Sequence, residues 1–132
     1  MDEDLDLTTE QTATLTGLTE RQLDYWIREG VIEAAVGAHG SGSARRWSYD
    51  QVQILRLLAV LRDLGASLET LASVFQAAVD LSDRAWDARV LVTPDGRITT
   101  LLGGDANGYA VDLSLIRSST VAETAERALA FA

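Results

Sequence analysis

The chain has 132 residues, no cysteine, one histidine and a formal net charge of −9. That length fits one domain, or two very small ones sharing a core, and a composition 47% hydrophobic and 23% charged is that of a globular protein. The missing cysteines exclude disulfides, thiolate catalysis, iron–sulfur clusters and cysteine zinc sites, and a lone His39 excludes a multi-histidine centre.

No apolar run approaches the ~18 residues of a membrane-spanning helix. The opening Met1-Asp2-Glu3-Asp4 carries the wrong charge for a secretory or mitochondrial leader, so a cytoplasmic location is expected. A pI near 4.4 argues at first against nucleic acid, which needs a basic face. The charge is uneven, however. Residues 1–6 hold four acids and no base, residues 7–66 hold six arginines against seven acids, and residues 67–132 hold five arginines against nine acids. The first tract reads as a short solvated tail, and the segment after it is nearly neutral. Every base is arginine, whose planar fork suits phosphate and guanine.

In chain order, Thr8-Thr9-Glu10-Gln11, Thr19-Glu20-Arg21-Gln22 and Ser48-Tyr49-Asp50-Gln51 each fit a capping box, in which the hydroxyl and the fourth side chain satisfy free N–H groups reciprocally. The first opens a short helix that stops near Gly17. The second opens a helix carrying Leu23, Trp26 and Ile27 at helical spacing and stopping at Gly30. Val31-Ile32 and Arg46-Trp47, separated by the Gly37 to Ser43 tract, are expected to be two short strands joined by a mobile loop. The third box opens a helix from about Val52 to Leu64, ended by Gly65. Ser67 opens a fourth, with Leu68, Leu71, Val74, Phe75 and Val79 along its stripe. Two helices, a hairpin and a third helix make the order of a winged helix-turn-helix.

The second half has a different texture. Arg89 to Thr93 and Arg97 to Leu101 flank Pro94-Asp95-Gly96, where proline sets one φ and glycine supplies the positive φ after it. Tyr109 to Leu113 reads as a third strand after the Gly103 to Gly108 loop, and Thr120-Val121-Ala122-Glu123 caps a last helix toward Phe131. The expected fold is α+β: four helices and a two-stranded wing, then a small antiparallel sheet with a C-terminal helix.

Residues 7–72 resemble the MerR family of bacterial transcription regulators. The resemblance rests on Leu15 to Ile32, with its Gly17 turn, Thr19 cap, Arg21, Leu23-Asp24-Tyr25-Trp26 and Gly30-Val31-Ile32. It rests also on Gly42 to Asp50, similar to the family's wing and next helix, and on Leu61-Arg62-Asp63-Leu64-Gly65-Ala66-Ser67-Leu68, similar to its connector. The resemblance implies a DNA-binding domain over 7–82 between the acidic tail 1–6 and a small α/β effector or dimerisation domain over 83–132, as in an actinobacterial subgroup of the family.

It also implies roles. Arg21 stands where a recognition helix sends its first side chains into the major groove, within reach of guanine O6/N7 or a phosphate. Tyr25 matches a residue that contacts the DNA backbone, although capping the core is an equal alternative. Arg28 adds a phosphate contact from the helix end. Arg45 matches the family's wing arginine, with Arg46 an extra base beside it, and Thr19, Gln22 and Ser43 complete the expected DNA-binding set. Trp26 is expected in the core, Trp47 is expected to pack the wing onto the third helix, and His39 reads as solvated. Asp24 departs from the family, where a second base is common, and is expected to pair sideways with Arg21 or Arg28 at helical spacing.

No catalytic constellation, cofactor or metal is expected: Asp80, Asp83 and Asp87 read as a solvated face. Trp86, Tyr109 and Phe131 are the aromatic candidates for an effector pocket, with core packing their ordinary use. The partners implied are promoter or operator DNA, RNA polymerase and a second copy of the chain, in the nucleoid. The fourth helix is too short for the family's long dimer helix, which leaves the C-terminal sheet and helix as the dimer contact, or a monomer. Two other functions stay open: a protein-interaction module for a regulator or polymerase subunit, and a phage excisionase-type architectural DNA-binding protein.

Overall fold

The computed structural model describes residues 7–34, 45–81, 85–87, 89–100 and 108–113. The acidic tail, the Gly/Ser tract with His39 and Ser43, Asp83, most of the 103–108 loop and the expected last helix with Phe131 lie outside the described residues.

Four helices form where the caps place them: α1 (Thr9–Thr16), α2 (Glu20–Arg28), α3 (Tyr49–Asp63) and α4 (Leu68–Val79). Thr8 and Gln11 close a full capping box at α1, and Ser48 and Gln51 close another at α3. At α2 only half the box exists. The Thr19 hydroxyl accepts from the Gln22 N–H at 2.9 Å, but the Gln22 side chain does not reciprocate. Its Oε1 accepts instead from Arg62 Nη1 of α3, at 3.4 Å.

The end of α2 sets the course of Val31 and Ile32. The Val31 N–H donates to Trp26 O at 2.8 Å and the Gly30 N–H to Ile27 O at 3.1 Å, a pair of bonds that reverses the chain past a left-handed glycine. The reversal drives Val31 and Ile32 into the core, where they are almost fully buried. The expected first wing strand is therefore absent: neither residue is extended in a ladder. Trp47 pairs with Leu7 in an antiparallel bridge, with N–H to O distances of 3.1 and 2.9 Å in the two directions. The Trp47 indole N–H donates to Thr9 Oγ1 at 3.0 Å. The hydrogen bonds of Trp47 thus run to α1 and to Leu7 ahead of it, while its ring is buried in the same core as the leucines of α3.

Leu55, Leu57, Leu58 and Leu61 give α3 its buried face, against α1 on one side and α4 on the other. On α4 the buried stripe is Thr70, Leu71, Val74, Phe75 and Ala78. The expected ends of that stripe, Leu68 and Val79, are exposed, because each sits at a helix terminus where the core has run out.

A 3₁₀ turn, Ala85–Asp87, leads into a three-stranded antiparallel sheet of β1 (Arg89–Val92), β2 (Ile98–Thr100) and β3 (Tyr109–Asp112), in the order β2-β1-β3. The register sets Val92 between Ile98 and Tyr109, and Val90 between Thr100 and Val111. Alternation then gives one face made of Val90, Val92, Val111 and the half-buried Ile98 and Tyr109. That face joins Trp86, Leu113 and the helices in one continuous core. Of the aromatic candidates for an effector pocket, Trp86 and Tyr109 both pack into this core.

The β1–β2 turn is what seats the sheet on the helices. The Thr70 hydroxyl of α4 donates to the Pro94 carbonyl. Gly96, at φ 85°, lies so close to α4 that an added Cβ would stand 2.1 Å from the Cβ of Ser73. Gly96→Ala is expected to cost about 1–3 kcal/mol in urea denaturation, through both the strained φ and this overlap. Adding Ser73→Gly should recover part of the loss by removing the overlap alone.

Candidate nucleic-acid interface

Helix α2 is built from two opposed faces. Leu23 and Trp26, at 0% and 1% exposure, fasten α2 to the core. The helical repeat then puts Arg21, Asp24, Tyr25 and Arg28 together on the opposite, outer stripe. Arg21 and Arg28 are exposed there, and Tyr25 is 38% exposed. Among the described residues Arg21 has no ion-pair or hydrogen-bond partner, so its guanidinium is free to reach outward.

Asp24 does pair at helical spacing, with Arg28 and not with Arg21: Arg28 Nε lies 3.2 Å from Asp24 Oδ2. It makes a second bond that has no sequence signature. Arg45 Nη1, from the far side of the wing tract, lies 3.6 Å from Asp24 Oδ1. The carboxylate thus ties Arg45 to the outer stripe of α2. Arg46, the next residue, is exposed.

The remaining expected residues are placed differently. Thr19 is occupied as the helix cap, and Gln22 is half-buried and turned toward α3 by Arg62. Ser43 lies outside the described residues. Arg62 is a residue that sequence reasoning misses as a part of this face. It bonds Asp63 Oδ1 through Nε at 3.2 Å and Nη2 at 3.0 Å while its Nη1 holds Gln22, and so links α3 to α2. Its one signal in the sequence is an arginine at the end of a largely apolar helix.

Chemically, the face offers guanidinium groups on a rigid helix, one aromatic hydroxyl and one carboxylate. Among the described residues no cluster of side chains could hold a metal ion, and no helix is long and apolar enough to cross a membrane.

Comparison with known proteins places the helices of this surface in a family. The model of the MerR HTH family regulatory proteins matches residues 7–78, a little over half of the chain. Over 58 residues the chain is 38% identical to uncharacterized HTH-type transcriptional regulators of Mycobacterium bovis and of two strains of Mycobacterium tuberculosis, an overlap that takes in 43% of this chain and 26% of each relative. The chain thus spans about a quarter of the length of these curated relatives. With the match taking in α1, α2, α3 and nearly all of α4, the chain belongs to the MerR family of helix-turn-helix regulatory proteins.

Proposed function

We propose that the chain is a sequence-specific DNA-binding transcription regulator of the MerR type. The observation that carries this reading is the outer stripe of α2, where Arg21, Tyr25 and Arg28 stand exposed and Arg45 is drawn alongside by Asp24. In this reading Arg21 enters the major groove and takes a guanine edge or a phosphate. Tyr25, Arg28 and the Thr19 end of the helix meet the DNA backbone, with Gln22 at the margin. Arg45, Arg46 and Ser43 carry the wing along the flanking phosphates. Paired readers on a homodimer address an inverted repeat. Binding distorts a promoter so that RNA polymerase engages it, and residues 83–132 form the part through which an organic or protein effector shifts that balance. The working place of such a protein is the cytoplasm, on the nucleoid.

The net charge of −9 shapes the mechanism. With so little general attraction to phosphate, non-specific affinity is low, and occupancy depends on base contacts and on paired readers. The same charge favours the second reading, an interaction module for another regulator or polymerase subunit. Selection from sheared genomic DNA separates the two. The regulator reading expects a small set of fragments to be enriched, the DNA upstream of the chain's own gene being the first to try, with affinity falling as salt rises. No enrichment, or a flat salt dependence, contradicts it.

A further inference from the structure

Asp24 sits in the middle of the outer stripe of α2, yet both of its oxygens are occupied: Oδ2 by Arg28 Nε at 3.2 Å and Oδ1 by Arg45 Nη1 at 3.6 Å. Two guanidinium groups converging on one anion is the arrangement that a DNA phosphate would itself complete. The two arginines come from parts of the chain 17 residues apart, Arg28 from the end of α2 and Arg45 from the stretch before α3, and Asp24 pairs with both. All three side chains keep contact with solvent, at 66%, 31% and 47% exposure for Arg28, Arg45 and Asp24.

Building on the DNA reading, we infer that Asp24 is a built-in stand-in for a DNA phosphate, which aligns Arg28 and Arg45 for the backbone while withholding them from duplexes that offer nothing more than charge. Exposed ion pairs of this kind are weak, so a duplex already held by Arg21 displaces the carboxylate readily. A duplex without the matching base must break the pairs with no such help. The carboxylate also lowers the net charge of the group from two to one, and with it the counterion release that drives non-specific binding. Asp24 is thus a specificity-determining residue that acts through its neighbours, at the cost of some total affinity.

The test begins with the wild-type chain, selecting from a random duplex library, and then compares the selected duplex with a scrambled one of the same composition. Asp24→Asn should bind the scrambled duplex about five- to tenfold more tightly at low salt. Its log–log salt slope should steepen by about 0.9, the value of one further neutralised phosphate. The ratio of selected to scrambled affinity should fall accordingly. Asp24→Glu, which keeps the charge, should hold the wild-type ratio. If Asp24→Asn leaves the scrambled affinity and slope unchanged, weakens both duplexes alike, or is matched by Asp24→Glu, the inference is overturned while the DNA reading stands. If the wild-type chain enriches no sequence, the DNA reading falls and takes the inference with it.

Discussion

Trp47→Ala is expected to remove about 3–5 kcal/mol of stability, the range for deleting a fully buried large aromatic side chain. The side chain is completely buried, and three bonds meet at the residue: two backbone bonds to Leu7 and the indole N–H to Thr9. A domain of this size has a total stability of about 5–15 kcal/mol, so the loss is a large fraction of the whole. Thermal unfolding should move down by about 10 °C or more. Trp47→Phe should cost less, because it keeps part of the apolar contact while losing some ring volume and the hydrogen bond to Thr9, the latter worth about 0.5–1.5 kcal/mol. Trp47 also lies between Arg46 and the Ser48 cap of α3, so under the proposed function the same change should disturb the placing of Arg45 and Arg46 and reduce DNA affinity at temperatures where the chain is still folded. A loss below about 1 kcal/mol for Trp47→Ala would mean that the buried indole is not a main support of the core.

Arg21→Ala should reduce affinity for the selected duplex by about ten- to a hundredfold, corresponding to the roughly 1–3 kcal/mol of a well-placed base contact. Stability should hardly change, since Arg21 is exposed and bonds to no described residue. Affinity for a scrambled duplex should change far less, because the guanidinium contributes there only one charge among several. Arg28 and Arg45 behave differently: both are tied to Asp24, so losing either frees half of the carboxylate as well as removing a positive charge. Their effects are expected to be smaller than that of Arg21 and non-additive with each other.

The features legible in the sequence are those that short range decides. Thr8, Ser48 and Ser67 cap helices because their hydroxyls meet an N–H three residues on, and Pro94-Asp95-Gly96 closes a hairpin because the turn's dihedrals are local. The outer stripe of Arg21, Tyr25 and Arg28 comes from the helical repeat and the apolar residues behind it. The features that stay hidden depend on residues distant in the chain. Val31-Ile32 has the composition of a strand, but the turn at Gly30 sends it into the core, and its place in the pairing goes to Leu7. Gln22 fits a capping box equally well whether or not Arg62 lies above it, and only the packing of α3 on α2 settles which bond it makes. Asp24 reaching Arg45 is the same kind of case. The seating of the hairpin on α4 through Thr70 and Gly96 is likewise a contact between elements that local pattern does not specify.

The role of the α2 stripe and the wing exit in DNA binding is tested most directly by the salt dependence of binding to the selected duplex, measured for the wild type and for Arg21→Ala combined with Arg45→Ala. The wild type should show a steep negative log–log slope, and the double variant should show both a large loss of affinity and a slope shallower by about one to two contacts' worth. Equal binding by the two proteins, or a flat slope for the wild type, would contradict the proposed face.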